Sequence, residues 1–173
     1  MTVLTVRHAD PANDPADRIL LDRLWQLFRH DMSAFSGTLP RPDGGFRTER
    51  LDAARTEPGW AAYLFHLDGQ PAGFALVRNL TGPGPIVLNS FFLVAGARRR
   101  GHGLPAALDV VRRHPGAWEV AFQDANTAAT VFWPRVAQAA DGDGWRLEHR
   151  PVAGRPEVPA DAWICFTVPP ATV

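Results

Sequence analysis

IVLNSFFLVAGARRRGHGLPAALDVV, residues 86–111, sets a strand, a cationic glycine-rich turn and a helix in unbroken succession. The apolar run through Phe91, Phe92, Leu93 and Val94 reads as a buried strand. Leu104, Ala107, Leu108 and Val111 then recur at helical spacing, and Pro105 sits in the first turn, where a missing N–H costs little. Between them lie Arg98, Arg99, Arg100, Gly101, His102 and Gly103. Glycines let the backbone approach an anion closely, and a helix start offers unpaired N–H groups and a positive dipole end. The segment is therefore expected to be a pyrophosphate cradle. His102 is expected to contribute its backbone, with its ring toward solvent.

Outward from this segment the chain reads as alternating short elements. Thr2–His8 is a candidate strand, and a helix is expected from about Asp14, with Ile19, Leu20, Leu24, Trp25, Leu27 and Phe28 as its apolar stripe. Residues 36–46, rich in Pro and Gly, form a loop, and a short helix follows over Arg47–Arg55. Trp60–Leu67 and Pro71–Val77 are strands joined by an Asp68-Gly69 hairpin turn. After the Arg-rich turn the helix is expected to run to about His114 and stop at Pro115-Gly116. Ala117–Gln123 is the next strand, with Trp118, Val120 and Phe122 on one face. Asn126 or Thr127 caps a fourth helix, in which Pro134 is expected to cause a kink or a stop. Strands near Trp145–Arg150 and Ala162–Val168 end the pattern. These residues alone imply a mixed α and β fold with a mostly antiparallel first half.

Composition narrows the function. At 173 residues the chain, read as one domain over 1–173, is long enough for a substantial core. Net charge is zero, which argues against a nucleic-acid or anionic-membrane partner and leaves the Arg98–Arg100 cluster suited to one small anion. All eighteen basic residues are Arg, a bias that suggests a GC-rich bacterial source. Cys165 is the single cysteine, so no intrachain disulfide forms; it reads as a small buried hydrophobe. The first ten residues lack a signal-peptide pattern and no apolar run reaches membrane-spanning length, which favours a cytoplasmic protein. The six histidines lack ligand spacing, so no metal site is expected.

Arg98-x-x-Gly101-x-Gly103 resembles the acyl-CoA-binding motif of the GNAT superfamily of N-acetyltransferases, and Asn126-x-x-Ala129-x-x-Phe132-Trp133 resembles its second signature. Trp118-Glu119-Val120 and the segment His30-Asp31-Met32-Ser33-Ala34-Phe35 add a likeness to one bacterial subgroup. The resemblance spans nearly the whole chain. It implies the GNAT acyltransferase fold, an α/β architecture with a mixed sheet of about seven strands, four helices and splayed fourth and fifth strands. It also implies acetyl-CoA as co-substrate, direct transfer to a small-molecule or peptide amine, and a monomer or homodimer. Arg98, Arg99 and Arg100, with backbone groups from Gly101 through Leu104, would hold the pyrophosphate. Backbone near Leu93 and Val94 would pair with the pantetheine arm, one N–H there polarising the thioester. Asn126 would bind that arm or simply cap its helix, beside Ala129, Phe132 and Trp133.

The sequence departs from the family pattern at the proton-handling positions. Trp133 stands where many relatives carry a Tyr acid, and an indole N–H cannot protonate a thiolate. Tyr63, the single tyrosine, reads as a packed sheet residue. Ser90 stands where an acid is common in the subgroup, and with Asn89 it can only orient a water. Asp31, Glu119 and Asp124 are the remaining carboxylates near the site, with Glu119 facing either the acceptor cleft or solvent. A non-catalytic acyl-CoA-binding module is the alternative to an N-acetyltransferase.

Overall fold

The computed structural model describes residues 2–170. Seven strands form one sheet in the order β1-β2-β3-β4-β5-β7-β6. They are β1 (Leu4–Ala9), β2 (Ala61–Leu67), β3 (Gln70–Arg78), β4 (Ile86–Leu93), β5 (Gly116–Phe122), β6 (Arg146–Arg150) and β7 (Asp161–Val168). Every neighbouring pair is antiparallel except β4 and β5. The helices are α1 (Pro15–Ser36), α2 (Glu49–Thr56), α3 (Gly103–Arg112) and α4 (Thr127–Asp141). The element order is the one the sequence predicts, with two short 3-10 turns added at Ala95–Ala97 and Gly142–Gly144.

Each face of the sheet carries its own core. On one face Leu21, Leu24, Trp25 and Phe28 of α1 and Leu51 of α2 pack on Leu64, Phe74, Leu76 and Phe92. On the other, Ala106, Ala107, Val110 and Val111 of α3 and Trp133, Val136 and Ala137 of α4 pack on Phe65, Leu88, Trp118, Val120 and Phe122. Tyr63 is buried in this second core, as expected. Each large side chain so buried contributes about 1.5–3 kcal/mol.

Helix phase is where the sequence reading shifts. Ile19 and Leu27 are exposed, because the buried stripe of α1 runs through Asp17, Leu21, Leu24, Trp25 and Phe28. Buried Asp17 joins this stripe because Arg7 of β1 and the N–H of Asp10 hydrogen-bond its carboxylate. In α3 the buried positions are Ala106, Ala107, Val110 and Val111, with Leu104 and Leu108 only partly covered. Pro134 does not end α4, which continues to Asp141. A proline removes one N–H from the ladder, and burial of Trp133, Val136 and Ala137 around it outweighs that loss.

Candidate active site

β4 and β5 pair at only two positions, Ile86 with Trp118 and Val87 with Glu119, and then separate. The register of β4 on β3 explains the point of departure. Val77 lies opposite Leu88 and Leu76 opposite Ser90, so Asn89 is an extra, bulged residue. A bulge bends its strand and sharpens its twist, and it stands just beyond the last rung shared with β5. The result is a wedge-shaped gap with one edge of β4 open.

Strand alternation decides which backbone groups face that gap. The Val94 N–H donates to the Ala72 carbonyl (2.8 Å), on the β3 side. In an antiparallel ladder the intervening residues point the other way, so the N–H and C=O groups of Phe91 and Leu93 face the gap. The Leu93 carbonyl accepts from Arg98 Nε (2.7 Å). The edge thus retains N–H groups at Phe91 and Leu93 and a carbonyl at Phe91, a template for an extended amide-bearing ligand. Of the two positions expected to face a pantetheine arm, Leu93 turns its N–H to the gap, while the Val94 N–H is taken up by Ala72 and Phe91 takes the outward place.

Beyond β4 the chain tightens through the 3-10 turn and enters the arginine turn, where Arg99 (φ 59°) and Gly101 (φ 83°) both take left-handed backbone. Glycine carries no penalty there. His102 opens α3 without a side-chain cap. Among the described residues, no acceptor meets the N–H groups from Arg99 to Leu104. Successive N–H groups in such a turn, at a helix start, form a concave anion site. Arg99 and Arg100 are exposed beside it. The Arg98 side chain, however, folds back. It bonds Leu93, pairs with Asp31 at the end of α1, and lies over the Phe92 ring (5.3 Å). Its guanidinium fixes the turn to β4 and α1, and among the described residues Arg99 and Arg100 form no ion pair.

α4 closes the α3 side of the gap. The Asn126 Oδ1 accepts from the Ala129 N–H (3.2 Å), which makes Asn126 the helix cap, and its amide NH2 meets no acceptor among the described residues. Phe132 stacks on Phe91 at 5.6 Å, and Trp133 meets the same ring edge-on at 5.5 Å. A Cβ at Gly103 would lie 3.1 Å from the Phe132 ring. Gly103 therefore serves helix–helix packing, while Gly101 serves the turn. Trp133 is buried and acts as a wedge between α4 and β4.

The three carboxylates expected near the site, Asp31, Glu119 and Asp124, are all engaged. Glu119 forms a bidentate pair with Arg150 (2.8 and 2.9 Å), and this pairing lowers its pKa, against the opposing effect of burial. Its face is opposite to Trp118, and Arg150 lies across it. Arg150 also binds Glu148, and the Cys165 thiol sits among the three, its pKa raised to about 11, chiefly by burial. Asp31 holds Arg98, and Asp124 meets His149 Nε2 (2.9 Å). Ser90 is buried and donates to Asn89 Oδ1 (3.2 Å). Its partner in register, Leu76, lies in the α1/α2 core, so Ser90 points to that face and Phe91 to the other. Sequence reasoning missed Arg150, which lies 31 residues from Glu119, and the bulge at Asn89, whose one trace is the polar Asn89-Ser90 pair inside an apolar run. Among the described residues, no group of three His, Cys, Asp or Glu could hold a metal ion, and no helix is long and apolar enough to cross a membrane.

No protein-family model matches the chain, and no curated protein matches it in sequence. Solved structures do match it in shape. An acetyltransferase from Thermus thermophilus superposes with a TM-score of 0.65 at 20% identity, covering 97% of this chain and 100% of its own. An aminoglycoside 6'-acetyltransferase type Ii gives 0.65 at 16%, over 97% and 99%. PaiA N-acetyltransferase from Thermoplasma acidophilum, in complex with coenzyme A, gives 0.62 at 11%, over 95% and 99%. Identity this low carries architecture and not activity, and the architecture, with its seven-stranded mixed sheet opening between β4 and β5, is the GNAT fold.

Proposed function

We propose that this chain is a single-domain, acetyl-CoA-dependent N-acetyltransferase. The observation that carries the reading is the pair of donor sets left without partners among the described residues, one on the open edge of β4 and one running from Arg99 to the start of α3. Its two parts suit the two parts of the donor. N–H groups from Arg99 to Leu104, with the Arg99 and Arg100 side chains, suit a pyrophosphate. The Phe91 and Leu93 edge suits the pantetheine amides, with the Asn126 amide NH2 able to reach the arm from α4.

Transfer needs no covalent enzyme intermediate. The amine nitrogen attacks the thioester carbonyl carbon, the C–N bond forms, the C–S bond breaks, and the sulfur departs with the electron pair. An N–H on the β4 edge stabilises the oxygen that gains charge. A thiol of pKa near 8.5 leaves as thiolate at modest cost, so Trp133 need not donate a proton. With Glu119 held by Arg150, Asp31 by Arg98 and Asp124 against His149, none of the three carboxylates expected near the site stands free to deprotonate an ammonium. The acceptor enters as the free amine, its nitrogen becomes positively charged as the C–N bond forms, and it gives up one proton to water, which Ser90 and Asn89 can orient, leaving the neutral amide. Holding the two reactants in line supplies the acceleration.

The same engaged carboxylates favour a second reading, an acyl-CoA-binding module without catalysis. Calorimetric titration with acetyl-CoA, followed by thiol release with an amine panel, separates the two. Saturable binding that weakens at least about tenfold in an Arg99→Ala, Arg100→Ala variant supports the cradle. Thiol release with amines then supports the enzyme, and binding without release supports the module. Absence of binding overturns both.

A further inference from the structure

On the α1/α2 face of the sheet, beside the point where β4 leaves β5, arginines from three elements converge. Arg78 ends β3 on the same face as Phe74 and Leu76, and its partner in register is Val87, the last β4 residue joined to β5. Arg29 lies one turn beyond Trp25 on α1. The Trp25 indole donates to the Arg47 carbonyl (2.7 Å) and Asp22 pairs with Arg55, so α1 and α2 are tied side by side, the Arg47 tie standing just before the first turn of α2. That turn carries Arg50. Arg50 is exposed, yet surrounding protein lowers its pKa by desolvation, and the charges of Arg29 and Arg78 lower it further. Asp161 of β7 and Glu49 act in the opposite sense.

Among the described residues, none of these three arginines forms an ion pair, and the buried Arg29 Nε has no hydrogen-bond partner. Nearby arginines are answered: Arg55 by Asp22 and Asp52, Arg98 by Asp31, Arg150 by Glu119 and Glu148. Like charges gathered without partners cost free energy that an incoming anion recovers. We infer that Arg29, Arg50 and Arg78 bind the anionic end of the acceptor, an amine that carries a carboxylate or a phosphate. The inference rests on the transferase reading for the amine's role, while the anion site stands on its own residues. It also sets this chain apart from a polycationic acceptor, which three unpaired guanidinium groups repel.

Calorimetric titrations with β-alanine and 2-aminoethyl phosphate, against ethanolamine and spermidine, test it. One or both anionic amines should bind saturably, at least about tenfold tighter than the other two, with the stronger of the pair telling carboxylate from phosphate. Arg50→Gln and Arg78→Gln should each weaken that binding about tenfold, with Arg50→Lys retaining part of it. Ethanolamine or spermidine binding as tightly, no saturable binding of either anionic amine, or binding untouched by both Gln variants overturns the inference. Acetyl-CoA is titrated into the same preparation. Its failure to bind strikes the transferase reading and not the anion site, whereas acetyl-CoA binding without anionic-amine binding strikes this inference alone.

Discussion

Along the β4 side of the gap, N–H groups of Phe91, Leu93 and the turn from Arg99 to Leu104 have no partner among the described residues, whereas across it the charged side chains of β5 and β6 are paired. Glu119, Glu148, Arg150 and Cys165 satisfy one another there, and His149 meets Asp124. An open row of fixed backbone dipoles is suited to grip a ligand, because no bond must break before the ligand binds. A closed charge network is suited to hold strands together. On the proposed function, β4 serves recognition, β5–β7–β6 serves support, and proton chemistry falls to solvent.

Breaking the packing behind the β4 side gives the largest expected effect. Trp133→Ala removes the wedge against Phe91 and Phe132 and should cost about 3–5 kcal/mol by urea unfolding, with acetyl-CoA affinity lost as α4 loosens. Trp133→Phe keeps most of the contact and should retain both affinity and thiol release. If Trp133→Phe folds and binds acetyl-CoA but releases no thiol, the indole has a chemical role and the assignment to packing fails.

On the opposite side, Glu119→Gln should cost stability and spare chemistry. Removing one partner from a bidentate charged pair costs about 1.5–3 kcal/mol. The pH dependence has a definite sign. The pKa of Glu119 is held below its ordinary 4.5, so the stabilisation is complete above that value and fades as pH falls through the lowered pKa. The gap between wild type and variant should therefore narrow on acidification in pH-dependent urea titrations. Thiol release should follow the acceptor amine's own pKa in both proteins. A new alkaline shift confined to the variant would make Glu119 the base and reverse the division between the two sides.

What the sequence could reveal follows the same division. The β4–turn–α3 segment was legible because its apolar run, arginines, glycines and helical spacing are contiguous, and Asn126 to Trp133 was legible at fixed spacing on one helix. The functions of single residues inside those motifs were not. Arg98 turns back to Leu93 and Asp31, and Gly103 makes room for Phe132, through contacts made across the fold. The bulge at Asn89 exists only relative to β3, and the pairing of Glu119 with Arg150 depends on β5 and β6 flanking β7. Ile19 and Leu27 show a subtler loss: apolar identity does not fix helix phase when polar Asp17 takes a buried place through its bonds to Arg7 and the Asp10 N–H.

The smallest expected effect lies where the two sides meet the end of α1. Asp31 and Arg98 are each more than a third exposed, and such pairs contribute about 0.2–1 kcal/mol, so Asp31→Asn should barely move the unfolding midpoint. Binding is the informative readout. Arg98 stays anchored to the Leu93 carbonyl through Nε in the variant, while its Nη2 loses the carboxylate that now neutralises it. An uncompensated guanidinium one residue from the row of free N–H groups raises the positive potential of the cradle. Acetyl-CoA affinity should therefore rise in Asp31→Asn, and the gain should vanish at high salt, where charges this exposed are screened. A loss of affinity would instead show that Asp31 holds Arg98 in the pose that shapes the turn, making the end of α1 part of the recognition side.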